Sequence, residues 1–260
     1  MGLEEFRGQD LKGHDFSRRN LSGKDFTNAN LTRANLTGAL LTGANLTGAL
    51  LTGANLTNAL FSYADLTGAN LTNANLTDAI FRDADLTGAN LTGANVTGAD
   101  FMDSIINSET RIRPASSRAS RWSYCNLSER TFKGHNFSDA EFVEANLKRS
   151  KLKGITCEDG NFERADLSNS TIFGGSYNRA DFTGADLTET RFEFLDLSDA
   201  RFINANLTNA IFNCCKLNNV SFLNANLTGT KFQSSSEEVS HEVTLPDGFT
   251  GKVPAQDYFP

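Results

Sequence analysis

The sequence predicts an all-β solenoid, a chain wound into stacked coils with flat sides. Three observations predict it. Every fifth residue from Phe6 to Ile106 is Leu, Phe, Val or Ile, and a second array keeps the rule from Leu127 to Phe232 with Cys157 and Tyr177 as exceptions. A period of five fits neither the 3.6-residue helix nor the two-residue strand. Gly and Asn recur at nearly every repeat, which opposes helix. A small residue, usually Ala (Ala29, Ala34, Ala39, Ala44), stands two before each central position. A coil in which each pentapeptide forms one side satisfies all three. The central and small residues point inward and the other three face water. Gly near the corner lets the chain turn, and backbone groups pair with the coils above and below, about 4.8 Å away.

The motifs Ala44–Gly48 (ANLTG) and Ala64–Gly68 (ADLTG) closely resemble the pentapeptide-repeat family, over about residues 4–107 and 125–232. The resemblance implies a right-handed quadrilateral β-helix with four pentapeptides per coil. Residues 20 apart then become neighbours in space.

The chain divides in order. Residues 1–107 form the first array, whose opening small slots hold Glu4, Gln9, His14, Arg19 and Lys24; at an open end these reach water. Residues 108–121 read as an Arg/Ser-rich linker or loop, with Arg111, Arg113, Arg118 and Arg121 as candidate contacts for an acidic partner and Ser116, Ser117 and Ser120 as candidate phosphorylation sites. The spacing from Ile106 to Trp122 is one residue more than three repeats, so the phase breaks here. Residues 122–232 form the second array, whose early slots hold Arg130 and His135. Two solenoid segments are the favoured arrangement, with one continuous rod carrying a surface loop as the alternative. Residues 233–260 leave the repeat, and Val243, Leu245, Phe249, Val253 and Phe259 are placed to cap the last coil, whose open edge otherwise invites pairing.

The formal net charge is −7, with only the linker basic, which argues against direct nucleic-acid binding. No secretory signal and no membrane-length apolar run are present, so the expected place is the cytoplasm, without a membrane partner. The three His and four Cys form no metal or redox spacing. Gly recurs as T-G-A rather than as a phosphate loop, and the Ser and Thr lack a His–Asp partner. The expectation is therefore no enzyme, no cofactor and no metal.

Function then falls to the outward slots. The slot before the centre is mostly Asn or Asp, but Leu40, Leu60 and Ile80 stack on one side as an apolar strip, and Phe173, Phe194 and Ile211 share a side in the second array. These are candidate contacts for a protein partner, the second array or a homodimer. The leading reading is a noncatalytic interaction scaffold. Two alternatives stand beside it. The resemblance brings in a DNA mimic that occupies DNA gyrase or topoisomerase and protects against quinolones, with Asp25, Asp65 and Asp85 as its carboxylates. The other is a purely structural rod.

Overall fold

The computed structural model describes residues 6–107, 109–112, 114 and 116–233, and the backbone of 241–244 and 250–253. It divides into two compact units, Met1–Asn126 and Leu127–Pro260. Among the described residues every regular element is β.

One pentapeptide, Ala34–Gly38, explains the repeat. The Asn35 N–H donates to His14 O in the preceding coil at 2.9 Å, while Leu36 N–H and Gly38 N–H donate to Asn55 O and Thr57 O in the next at 2.7 and 2.8 Å. The Ala34 N–H closes the previous corner on Leu31 O at 3.0 Å. The fifth donor, Thr37 N–H, goes to the Asn35 side-chain oxygen at 3.2 Å, and the Thr37 hydroxyl joins it at 2.7 Å. All five backbone donors are thus satisfied, four by carbonyls and one by the Asx side chain. The third residue of each corner has positive φ, +62° at Gly38. That geometry suits Gly and Asn, yet it also holds Tyr63, Phe194 and Cys214.

The first unit is a run of parallel bridges offset by twenty residues, such as Asn20↔Leu40, Leu40↔Leu60, Leu60↔Ile80 and Ile80↔Asp100. Twenty residues per turn is four pentapeptides, so the coil is four-sided, as the family resemblance implies. From Leu21 on the centres are buried, and aromatic rings stack at the coil spacing: Phe61, Phe81, Phe101 and Trp122 lie 4.7, 5.0 and 4.2 Å apart in succession. The pitch fixes this near-parallel stack, while rings on adjacent sides meet edge to face, as Phe192 and Phe202 do at 88°.

Residues 108–121 correct the linker reading. Arg111, Ser116 and Arg121 bridge to Asn90, Asn95 and Asp100, an offset of twenty-one. The extra residue therefore lies just after Ile106, and the next centres, Ile112, Ser117 and Trp122, are buried. The Gly88 N–H, which by the repeat would find a backbone carbonyl, finds the Asn107 side-chain oxygen at 3.1 Å instead. The same oxygen accepts from Glu109 N–H and Thr110 N–H, so one Asn replaces the carbonyl that the insertion displaces. Thr110 fills the small slot and returns its hydroxyl to Leu86 O at 2.7 Å. Thr190 and Thr230 do the same to Leu167 O and Leu207 O at 2.8 Å. This is how a hydroxyl is buried without losing its hydrogen bond.

The second unit has continuous strands on one side: β1 (Thr131–Lys133), β2 (Lys151–Thr156), β3 (Thr171–Ser176), β4 (Arg191–Asp196), β5 (Ile211–Asn213) and, after the short β6 (Val220–Ser221), β7 (Lys231–Gln233). They form one parallel sheet in the order β1-β2-β3-β4-β5-β7. The tail contributes β8 (His241–Thr244), parallel to β6, and β9 (Thr250–Val253), antiparallel to β8. Backbone of the tail thus pairs with the end of this unit. Leu245, Phe249 and Phe259 lie outside the described residues.

Candidate interaction surfaces

The slot before each centre belongs to the folding machinery as well as to the surface. Its Asn or Asp oxygen accepts the N–H two residues on throughout both units, as at Thr72, Thr97, Ser168 and Thr208. Leu and Ile cannot do this. At Leu40, Leu60 and Ile80 the side chain therefore forgoes a bond that its neighbours make. The three form one ladder, Leu40 exposed and Leu60 and Ile80 half-buried. Below it, the almost fully buried Asp100 carboxylate is held by Arg82 Nε at 2.7 Å and Arg121 Nη1 at 3.8 Å. Leu50 and Ile105 are exposed in other columns.

On the second unit, the Phe173 and Phe194 rings meet edge to face at 5.6 Å, 43% and 54% exposed. Phe194 sits at the corner slot, with φ at +56°. Ile211 lies on the same sheet but registers with Arg191 and Lys231, not with the aromatic pair. The sheet also carries Lys133, Lys151, Lys153 and Lys231 along its outward positions.

The acidic column is in register, Asp25↔Asn45↔Asp65↔Asp85↔Ile105. Each carboxylate closes an Asx turn, onto Thr27, Thr67 and Thr87 N–H at 2.8 Å. The Thr27 hydroxyl and N–H lower the Asp25 pKa, with Arg7 adding to them. At Asp65 partial burial opposes ionisation, but the Thr67 and Thr47 donors outweigh it and the pKa falls.

Of the linker arginines, Arg111, Arg118 and Arg121 are exposed and Arg113 lies outside the described residues. Arg121 is turned towards Asp100, as above. Ser117 and Ser120 are buried, 1% and 0% exposed, so neither offers a phosphorylation site. The Ser120 hydroxyl donates to Ser117 O at 2.6 Å and accepts from Trp122 Nε1 at 2.7 Å. Ser116 is half-buried against the Thr97 hydroxyl at 2.7 Å. The serines look solvated in sequence because a polar residue here fills a core slot.

Cys125, Cys157 and Cys215 are buried free thiols and Cys214 is half-buried. Burial pushes the Cys125 and Cys215 thiols up to about 12 and Cys157 higher still, which suppresses the reactive thiolate. Tyr177 is fully buried, its hydroxyl without a hydrogen-bond partner, beside a cavity of about 10 Å³ walled by Phe137, Phe162 and Cys157. Among the described residues no cluster of His, Cys, Asp and Glu is placed to hold a metal. Among the described residues no helix is long and apolar enough to cross a membrane.

The family profile "Pentapeptide repeats" matches repeatedly, over residues 10–48, 39–78, 69–107, 123–156, 161–202, 178–213 and 200–236. No curated protein matches. Among solved structures the chain is similar to HetL, a pentapeptide repeat protein involved in heterocyst differentiation regulation in the cyanobacterium Nostoc sp. strain PCC 7120. Identity is 26% over 91% of this chain and 93% of that one, with a TM-score of 0.40. A pentapeptide repeat protein of the Arabidopsis thaliana thylakoid lumen is 43% identical over 42% of this chain and 76% of its own, also with a TM-score of 0.40. QnrB1, a plasmid-mediated fluoroquinolone resistance protein, is 19% identical over 79% and 88%, again at 0.40.

Proposed function

Because this chain belongs to the pentapeptide-repeat family, we propose that it works as a noncatalytic protein–protein interaction scaffold in the cytoplasm. One observation carries the reading. At Leu40, Leu60 and Ile80 an acceptor that the fold uses elsewhere is replaced by an outward aliphatic side chain, in three successive layers of one column. Local rules broken in successive layers of an outer face support a surface built for contact. The Phe173–Phe194 pair follows the same logic, since an aromatic residue in the left-handed region is strained.

The test is Leu60→Asn. Asn restores the acceptor for the Ser62 N–H, so stability should stay within about 1 kcal/mol of the parent by thermal melting. Quantitative proximity labelling in the source cell should lose a defined set of neighbours. Unchanged labelling for Leu60→Asn and for Phe194→Asn would remove the scaffold reading and leave a structural rod.

The Asp25–Asp65–Asp85 column favours a second reading, a DNA mimic acting on gyrase, because two of its carboxylates are held ionised on one side of the coil. Regular carboxylates compete for a basic groove. A supercoiling assay with and without a quinolone decides it: salt-sensitive inhibition or drug protection is expected, and an untouched gyrase at large protein excess ends it.

A further inference from the structure

The cations of the second unit are distributed unevenly. On its other sides four arginines pair with carboxylates one layer below, Arg149–Glu129 at 2.6 Å, Arg164–Glu144 at 3.1 Å, Arg179–Asp159 at 2.6 Å and Arg201–Asp181 at 3.4 Å, and Lys216 reaches Asp196 at the end of β4 at 3.3 Å. On the β1–β7 sheet no carboxylate among the described residues forms an ion pair with Lys133, Lys151, Lys153 or Lys231. Arg191 finds one only along its own strand, Glu193 at 3.0 Å. This side therefore carries positive charge that the fold does not neutralise, beside two exposed aromatic rings.

We propose that this basic sheet is the docking surface for the acidic column of a second copy of the same chain, in antiparallel register. The proposal rests on the scaffold reading and names its partner. Charge complementarity is one argument. The other is spacing. Both columns are built on parallel backbone ladders, so their layers repeat at the same distance, about 4.8 Å. In antiparallel alignment Asp85 meets the layer of Lys133, and Asp65 that of Lys151 and Lys153. Asn45 then meets the layer of Thr171 and Phe173, and Asp25 that of Arg191. The Asp85 and Asp65 layers fall on lysine layers, the uncharged Asn45 layer falls on the uncharged strand β3, and the Asp25 layer falls on the Arg191–Glu193 pair. A flexible polyanion supplies charge but not a rigid repeat, whereas a second copy supplies both. The Asp side chains use one oxygen for their Asx turns; the second oxygen of Asp25 faces Arg7 at 3.8 Å and that of Asp65 accepts from the Thr47 hydroxyl at 3.1 Å.

The experiment is sedimentation velocity on the full chain, over a concentration series up to about 200 μM, at about 50 and about 500 mM salt. Reversible association at low salt, weakened at least about tenfold at high salt, is expected. Lys151→Glu and Asp65→Asn should each weaken it. Asp65→Asn keeps the acceptor for Thr67 N–H, so the fold is not at stake. The double charge swap Lys151→Asp with Asp65→Lys should recover association. Asp10→Asn, which changes net charge equally in another column, should leave it unaltered. A wild-type monomer at every concentration overturns the proposal, as does a double swap that melts normally but fails to associate. Binding of a fluorescent single-stranded oligonucleotide that Lys151→Glu abolishes would give the sheet to a different polyanion and also overturn it. If the protein is monomeric while Leu60→Asn still loses its neighbours, self-association fails and the scaffold stands.

Discussion

At the scale of the residue, each letter of A-N-L-T-G has a physical duty. Leu fills the core, Ala lets the coil close, Asn receives the Thr amide, and Gly takes the left-handed corner. The inward letters were legible in the sequence because period five singles them out. The duty of Asn was not, since an outward polar residue reads as a surface choice until the donor two residues on is counted; the recurring N-x-T was the available signal. Tyr177 breaks the pattern in the other direction. It stands in a central slot with its hydroxyl buried and without a partner, and burial raises its pKa well above the ordinary value. Tyr177→Phe removes that unpaired oxygen and keeps the ring, so it should raise stability by about 1 kcal/mol in chemical denaturation. A loss of that size would mean that the hydroxyl is satisfied in solution.

At the scale of the element, the turn around Asn107 shows how a regular ladder tolerates one extra residue. Asn107 accepts from Gly88, Glu109 and Thr110, spanning two layers through a single oxygen. Asn107→Ala removes this acceptor from the half-buried Gly88 and the exposed Glu109, while Thr110 N–H keeps the Asn107 carbonyl at 3.1 Å, and a loss of roughly 2 kcal/mol is expected, read by urea unfolding. The neighbouring Asn90→Ala, which opens one Asx turn, should cost about 1 kcal/mol. Equal effects would show that the insertion is not held by this side chain. The phase break itself was legible from the spacing of Ile106 and Trp122. Its conversion into a further turn was not, because Ser117 and Ser120 occupy core slots whose pattern is otherwise apolar, and four Arg nearby mimic a solvated connector.

At the scale of the whole molecule, most of the fold followed from the repeat length of five together with the four repeats per coil that the family resemblance implies, since a ladder that pairs residues twenty apart leaves little freedom within each unit. The candidate surfaces were only half legible. Folding the sequence by twenty places Leu40, Leu60 and Ile80 together, and likewise Asp25, Asp65 and Asp85. It does not tell that Phe173 touches Phe194 while Ile211 stands apart, nor that the lysines beside them lack carboxylates. Those facts depend on which side chains reach across a layer. Self-association would make the melting temperature rise with protein concentration at low salt, because the associated state lies only on the folded side of the equilibrium. The twenty-residue turn also bears on inheritance. Duplicating or deleting one whole turn of codons keeps each downstream column facing as before, whereas the gain or loss of a single five-codon block swings all later columns through a quarter circle. The lineage can lengthen or shorten such a surface gradually only in whole turns, and any smaller step trades one set of contacts for another at a stroke.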